Sequence, residues 1–426
     1  MVSAPRIYEK AIKFIDLWNL KVQIAGHLPF TAKIDLNNLT FDIITAVALG
    51  LDDSDCDTVR NINHLRSVRG QVAIDNEGKQ HSADPFIFPD LQPSEQLWAL
   101  DYLMDSVGRS FLTPSPKLYH MYNNLFSSTR KALALKERFL TTQITRAAKR
   151  FGDVSSILEI RTALESMIQR EIVSAKKADR APDIQSKRIK DELYGYIFAG
   201  HDTSHTVVSY ITKYLGSYQD EQKQVRVALR TAFPEACASD RQPSIDEITK
   251  AKVPIFDAFL EEVLRFGTPV PIIGREVVND TVILGHSIPK GTMCFMSMQG
   301  ATYTEPGFPI SEVSRSESSQ KHREITGDWA DTPFAPNDFI PERWLRKDEN
   351  GEVVFDHYAG PFLSFSTGPR GCFGKRLAYL ELRIVTILLV WNFEYLPLPS
   401  HLDSWDAHDS VVVKPNMTYV RLRKAM

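Results

Sequence analysis

Apolar residues recur at helical spacing over most of the chain. Ile7, Ile12, Phe14, Ile15, Trp18 and Leu20 form one stripe, and Ser3 ahead of Pro5 is placed to cap the helix carrying it. A second helix is predicted from Leu39 to Leu51, where Gly50 supplies a stop. Between Cys56 and Pro116, the residues Pro85, Pro89, Pro93, Pro114 and Pro116 divide the chain into short helices and loops. Stretches rich in Ala, Leu, Arg and Glu, from Ser127 to Phe151 and from Val154 to Lys177, predict long surface helices. Further helices are expected at Asp191 to Leu215, Gln219 to Ala232, Lys252 to Phe266 and Leu377 to Val390. Strand patterns come late. Thr268 to Ile273 passes from helix to strand, and a strand to Met298 follows the turn Pro289 to Gly291, with Met293, Cys294 and Met296 expected in the core. Ser410 to Leu422 reads as a hairpin or strand pair, and residues 301–328 as a solvated loop insertion. The pattern predicts a mainly α chain with a minor β part.

Composition narrows the function classes. The chain has 426 residues and 43% hydrophobic content, enough for a large core. Lys plus Arg is 50 against 53 for Asp plus Glu, a net charge of -3, so no basic excess points to a nucleic-acid partner. Cys56, Cys237, Cys294 and Cys372 are scattered, without CxxC spacing, which argues against a disulfide framework, a zinc site or covalently attached haem. No apolar stretch is long enough to span a bilayer, and the N-terminus lacks the order of a signal peptide, so the chain as written is expected to be soluble, without membrane association.

The chemistry concentrates at Phe365-Ser-Thr-Gly-Pro-Arg-Gly-Cys-Phe-Gly374. A thiolate that holds an iron needs N–H donors around the sulfur and shelter from water. Gly368, Gly371 and Gly374 let backbone approach a flat macrocycle, Arg370 offers a permanent charge to a propionate, and Phe365 can pack beside the sulfur. The helix that follows directs its N-terminal dipole toward Cys372. This stretch resembles the cytochrome P450 signature Phe-x-x-Gly-x-Arg-x-Cys-x-Gly at every fixed position. The competing reading of Cys372 alone is a buried free cysteine in a glycine-rich turn.

Other segments resemble the same family. Ala199-Gly-His-Asp-Thr203 matches Ala-Gly-x-Asp/Glu-Thr of the family's long central helix. A mid-helix glycine costs about 1 kcal/mol against alanine, and Gly200 is expected to open the helix surface for dioxygen and water. Asp202 and Thr203 then form an acid and alcohol pair that relays protons. His201 is expected to be structural or solvent-facing. Glu262 and Arg265 share a helix face, and with Arg343 of Pro341-Glu-Arg-Trp344 they resemble the family's buried Glu-Arg-Arg triad that braces the cysteine loop. The resemblance also makes Arg275 a propionate-binding strand residue and turns Thr268 to Ile273 toward substrate.

The family fold implied lacks its membrane anchor, first sheet strands and first helices, and no arginine stands four residues after Trp18, the only early tryptophan. The expectation is a single P450 catalytic domain over residues 1–426, N-terminally truncated by a gene model or clone that lost its first exon; the other reading is a true short protein, for which haem binding is in question. The resemblance implies haem b on the Cys372 thiolate and oxidation, by hydroxylation or epoxidation, of a lipophilic small molecule. The style of the sequence resembles fungal P450s of secondary metabolism. Electrons are expected from an NADPH-dependent P450 reductase, with Lys375 and Arg376 either contributing charge to docking or standing as ordinary solvated residues. An anchor preceding the chain would place it on the cytoplasmic face of the endoplasmic reticulum. Substrate-lining candidates are Tyr196, Phe198 and Ala199. Two alternatives stand: an electron-independent rearrangement or coupling enzyme, against which the Asp202-Thr203 pair speaks, and a fragment that holds no haem.

Overall fold

A computed structural model describes residues 2–75, 84–152, 160–300, 305, 310–327, 329 and 333–425. The chain divides into two compact units: one of Met1–Ser217, Gln242–Thr249 and Arg376–Met426, and one of Tyr218–Arg241 and Lys250–Lys375.

The first unit is helical because its apolar stripes leave no other way to bury them. Its helices are α1 Ser3–Ala25, α2 Lys33–Leu49, α3 Asp57–Asp75, α4 Glu95–Phe111, α5 Pro116–Asn123, α6 Ser127–Gly152, α7 Ala163–Lys177 and α8 Lys187–Ser217. Ser3 is the first residue of α1 and does not cap it; Val2 stands at the cap position without a side-chain bond. The buried face of α1 uses Leu17 rather than Leu20. Gly50 stops α2 as expected, at φ +77. The region from Cys56 to Pro116 contains longer helices than its prolines predict, because Pro85, Pro89 and Pro93 all fall between α3 and α4. Of the helix expected from Val154, residues 153–159 lie outside the described set, and α7 begins at Ala163 with Thr162 as cap, its side chain accepting from Glu165 N.

Two devices hold these helices together. Asp35 of α2, fully buried, accepts from Trp18 Nε1 at 3.0 Å, Lys21 Nζ at 2.7 Å and Asn61 Nδ2 at 3.2 Å, tying α1, α2 and α3 to one carboxylate. Trp18 thus has a packing role. A core of Ile44, Leu100, Leu140, Ile144, Leu193 and Ile197, among others, joins α2, α4, α6 and α8. Gly200 packs against α2: a Cβ there would lie 2.4 Å from Ile44 Cδ1. Close helix packing, rather than an opening for dioxygen, is therefore what the structure shows for this glycine.

The second unit holds α9 Gln219–Ala232, α10 Pro234–Ala238, α12 Pro254–Phe266 and α13 Glu317–Arg323, with α11 Ile245–Lys250 lying mostly in the first unit, as does α14 Lys375–Asn392. All described strands form two-stranded antiparallel ladders. In the first unit β1 Phe30–Thr31 pairs with β11 Tyr419–Val420, β8 Phe393–Tyr395 with β12 Leu422–Lys424, and β9 Ala407–Asp409 with β10 Val413–Pro415. The expected strand pair at Ser410 to Leu422 is therefore a hairpin starting earlier, followed by two strands that pair elsewhere. In the second unit β2 Ile272–Glu276 pairs with β5 Met293–Ser297, β3 Thr281–Ile283 with β4 His286–Ile288, and β6 Leu345–Lys347 with β7 Val353–Phe355.

Met293 and Met296, expected in the core, are 50% and 42% exposed, and Cys294 is half-buried. The ladder has only two strands, so period-2 apolar patterning does not bury both faces. Within 301–328, residues 301–304, 306–309 and 328 lie outside the described set; the rest is solvated, but it includes a short helix, α13, rather than loop throughout.

The second unit is fastened by Glu262. Its carboxylate accepts from Arg265 Nε at 2.8 Å, Arg265 Nη2 at 2.8 Å, Arg343 Nε at 2.9 Å, Trp344 Nε1 at 2.8 Å and Ile340 N at 2.9 Å. All three side chains of the Glu-Arg-Arg set are fully buried. Removing one partner of such a set strands a buried charge. Arg343→Leu is expected to destabilise the protein by roughly 3–5 kcal/mol, read as a fall in the denaturant midpoint with unchanged slope; a loss below about 1 kcal/mol would mean an ordinary exposed pair.

Candidate active site

In the second unit the loop around Cys372 is built onto the end of α12. Ser364, just before Phe365, donates from Oγ to Leu264 O at 2.9 Å and lies 2.6 Å from Thr268 Oγ1, which itself donates to Leu264 O at 2.7 Å. Leu264 is two residues from Glu262, so the buried charge network and the entry to the loop share one helix end. The loop then closes on itself. Cys372 N donates to Phe365 O at 2.8 Å and Gly371 N to Gly368 O at 2.9 Å, with Ser366 at φ +54 and Gly368 at φ +67. The left-handed turn at Gly368 is one that glycine adopts without strain.

This loop presents Cys372 as a free, exposed thiol, with Phe373 94% exposed beside it. The buried-cysteine reading does not describe it. Gly374 lies beside the sulfur, a Cβ there being in ordinary contact with Sγ at 3.8 Å. Arg275, on β2 opposite Cys294, extends Nη2 toward Ser366 Oγ at 3.5 Å, which brings the strand arginine to the cysteine loop. Arg370 lies exposed in the turn. Lys375 Nζ stands 5.7 Å over the Phe365 ring and 3.4 Å from His357 Nε2. A free soft sulfur, with one guanidinium in the same turn and another reaching the loop at Ser366, suits an iron porphyrin that carries two propionates. Among the described residues no group of three or more His, Cys, Asp or Glu could hold a bare metal ion. The residues present fit haem.

In the first unit, α8 carries Asp202 and Thr203, but their side chains diverge. Thr203 Oγ1 donates back to Ala199 O at 2.7 Å, and Thr203 shares an outward face with the exposed Gly195 and Ala199. That face is narrow and small, a surface a flat group can approach closely. Asp202 is buried and pairs with Lys414 Nζ at 2.5 Å. Burial pushes the Asp202 carboxyl up, while Lys414 pulls it down. Lys414 stands on β10, far along the chain, and nothing local in the sequence marks it as a partner. His201, expected to be structural or solvent-facing, is fully buried, with Nδ1 3.0 Å from Thr40 Oγ1 and an edge-on contact with Phe41. Tyr196 and Phe198 are half-buried against the helical core.

The Asp202–Lys414 pair predicts a pH-dependent mutant. In Lys414→Met the buried carboxylate has no cation, so its pKa rises further. The unfolded chain then gives up that proton at lower pH than the folded chain, and stability falls as pH rises. The deficit against wild type is expected to be about 2 kcal/mol or more near neutral pH and to shrink as pH falls toward the ordinary aspartate value of 3.8, measured by denaturant unfolding; an equal deficit at both ends would contradict the pairing.

The comparisons with known proteins agree with this geometry. The family model described as cytochrome P450 matches residues 3–313 and 334–422. The cytochrome P450 monooxygenase TRI13 of Fusarium sporotrichioides is 31% identical over 99% of this chain and 74% of its own length. The cytochrome P450 monooxygenase xilC of Penicillium rubens is 30% identical over 99% and 71%. The Hps1-dma1 cluster cytochrome P450 monooxygenase cyp3.1 of Dothistroma septosporum is 36% identical over 67% of this chain and 96% of its own. Among solved structures, a cytochrome P450 (CYP102L1) superposes with a TM-score of 0.67 at 16% identity, covering all of this chain and 75% of that one, which shows the fold alone.

Proposed function

The chain belongs to the cytochrome P450 family, whose members are haem-thiolate monooxygenases, and on that premise we propose that it hydroxylates or epoxidises a lipophilic small molecule in fungal secondary-metabolite biosynthesis. The observation that carries the reading is the free, exposed Cys372 sulfur on a loop braced by α12. The fungal relatives, one named for a gene cluster, support the biosynthetic setting. When bound, the haem supplies reductive activation of dioxygen, one oxygen atom passing to substrate and the other leaving as water with two protons and two electrons.

The chain's own residues have distinct tasks. Cys372 holds the iron through its thiolate, and Arg275 and Arg370 pair with the propionates. Gly368 and Gly374 let the loop lie close, and Phe365 adds apolar cover on the sulfur's loop once the haem is in place. On α8, Thr203 presents its hydroxyl to incoming water and protons, and Asp202 holds a proton or passes it on while Lys414 limits how tightly it is bound. Tyr196, Phe198 and Ala199 offer an apolar and aromatic surface to substrate. Electrons come from a redox partner, which we assign to an NADPH-dependent reductase. Among the described residues no helix is long and apolar enough to cross a membrane.

The ligand assignment is tested by the carbon monoxide difference spectrum of the reduced, haem-loaded protein. Wild type is expected to give the band typical of thiolate ligation, and Cys372→Ser to lose it. A Cys372→Ser protein that kept the band would overturn the assignment. Thr203→Ala is expected to leave the band intact and lower product formed per NADPH by roughly tenfold or more.

A further inference from the structure

Helix α8 is gripped on both flanks of Thr203. Successive helical residues point about 100° apart, so Asp202 and Ser204 lie on either side of the Thr203 direction. Asp202 goes to Lys414 on β10. Ser204 Oγ donates to Glu381 Oε2 on α14 at 2.9 Å. The two grips differ in kind, because the first contains a cation and the second does not. Ser204 and Glu381 are 5% and 2% exposed, Glu381 Oε1 has no hydrogen-bond partner, and among the described residues Glu381 makes no ion pair. A buried ionised carboxylate with a single hydroxyl donor is far costlier than the neutral acid.

We propose that Glu381, as the neutral acid, is a positioning residue that pins α8 through Ser204 and so fixes the direction in which Thr203 points. The proposal rests on the reading of Thr203 given above. Nothing in the family signature marks this residue, which lies nine positions beyond Cys372 on the far side of the helix start. Burial pushes its carboxyl up to about 8, with the Ser204 bond opposing. Among the described residues Tyr196 feels its charge: burial raises the Tyr196 hydroxyl and Glu381 raises it further. A folded-state pKa above the unfolded value favours the folded chain only while both hold the proton. Stability is therefore full below the ordinary glutamate pKa of 4.5 and is lost as pH rises toward about 8.

The test uses the haem-loaded protein and four variants: Glu381→Gln, Glu381→Leu, Ser204→Ala and, as a core control on the same helix, Leu388→Ala. Thermal unfolding between about pH 5 and 8 should show a smaller loss of stability with pH in Glu381→Gln than in wild type, since glutamine keeps the acceptor and has no proton to lose. Product formed per NADPH should stay within about twofold of wild type in Glu381→Gln and fall roughly tenfold in Glu381→Leu and Ser204→Ala, the scale of loss for a misplaced group. Leu388→Ala should unfold at lower temperature with that yield unchanged. An unaltered pH slope in Glu381→Gln would overturn the neutral-acid assignment, and unchanged yield in both Glu381→Leu and Ser204→Ala would overturn the pin. The unfolding arm needs no turnover, so it remains legible if the monooxygenase reading fails.

Discussion

One carboxylate, that of Glu262, receives five hydrogen bonds from two stretches of chain, its own helix end and residues 340–344. A charge buried so completely must be matched by donors or it unfolds the unit around it. Two of the donors are guanidinium groups and a third is the Trp344 ring nitrogen, which also belongs to the aromatic core with Trp329. The same helix end holds Ser364 and Thr268, and through them the entry to the loop that carries Cys372. The thiol is exposed, yet its backbone is not free to wander, because its approach is fixed by the most deeply buried polar network of the unit. A ligand that must meet a metal in one geometry needs that kind of support.

The first unit solves a related problem by other means. Thr203 lies half-buried on the outward face of α8 with its hydroxyl bonded to Ala199 O, so its direction follows the helix backbone. Apolar packing against α2 sets the depth of the helix, most tightly at Gly200 and Ile44. Polar contacts hold it on either flank of Thr203, Lys414 with Asp202 and Glu381 with Ser204. A charged grip and a neutral one respond oppositely to lost partners: the first strands an ion, the second only an acceptor.

Much of the architecture was legible in the sequence because helical periodicity is local. Gln219–Ala232 is found at its expected bounds and α8 and α12 within a few residues of theirs, while α2 begins six residues before its expected start at Leu39. The Glu262, Arg265 and Arg343 set was anticipated only through the resemblance to the family's triad, since spacing by itself joins Glu262 to Arg265 alone. What escaped were contacts between distant segments. Lys414 as partner of Asp202, Ser204 with Glu381, and Asp35 as the anchor of Trp18 each join residues that no local pattern connects. Burial on strands was misjudged for Met293 and Met296, because alternation predicts a face but not whether anything covers it. The prolines between Cys56 and Pro116 misled for a simpler reason, falling between helices instead of within them.

The account stands on sulfur ligation of the iron by Cys372. The most direct measurement is iron X-ray absorption of the haem-loaded protein, which reports the atoms bonded to the metal. The account predicts one sulfur among nitrogen scatterers in the wild-type chain, absent when Cys372 is alkylated before haem is added. A wild-type spectrum fitted by nitrogen and oxygen alone, or a sulfur contribution that survives alkylation, would contradict it.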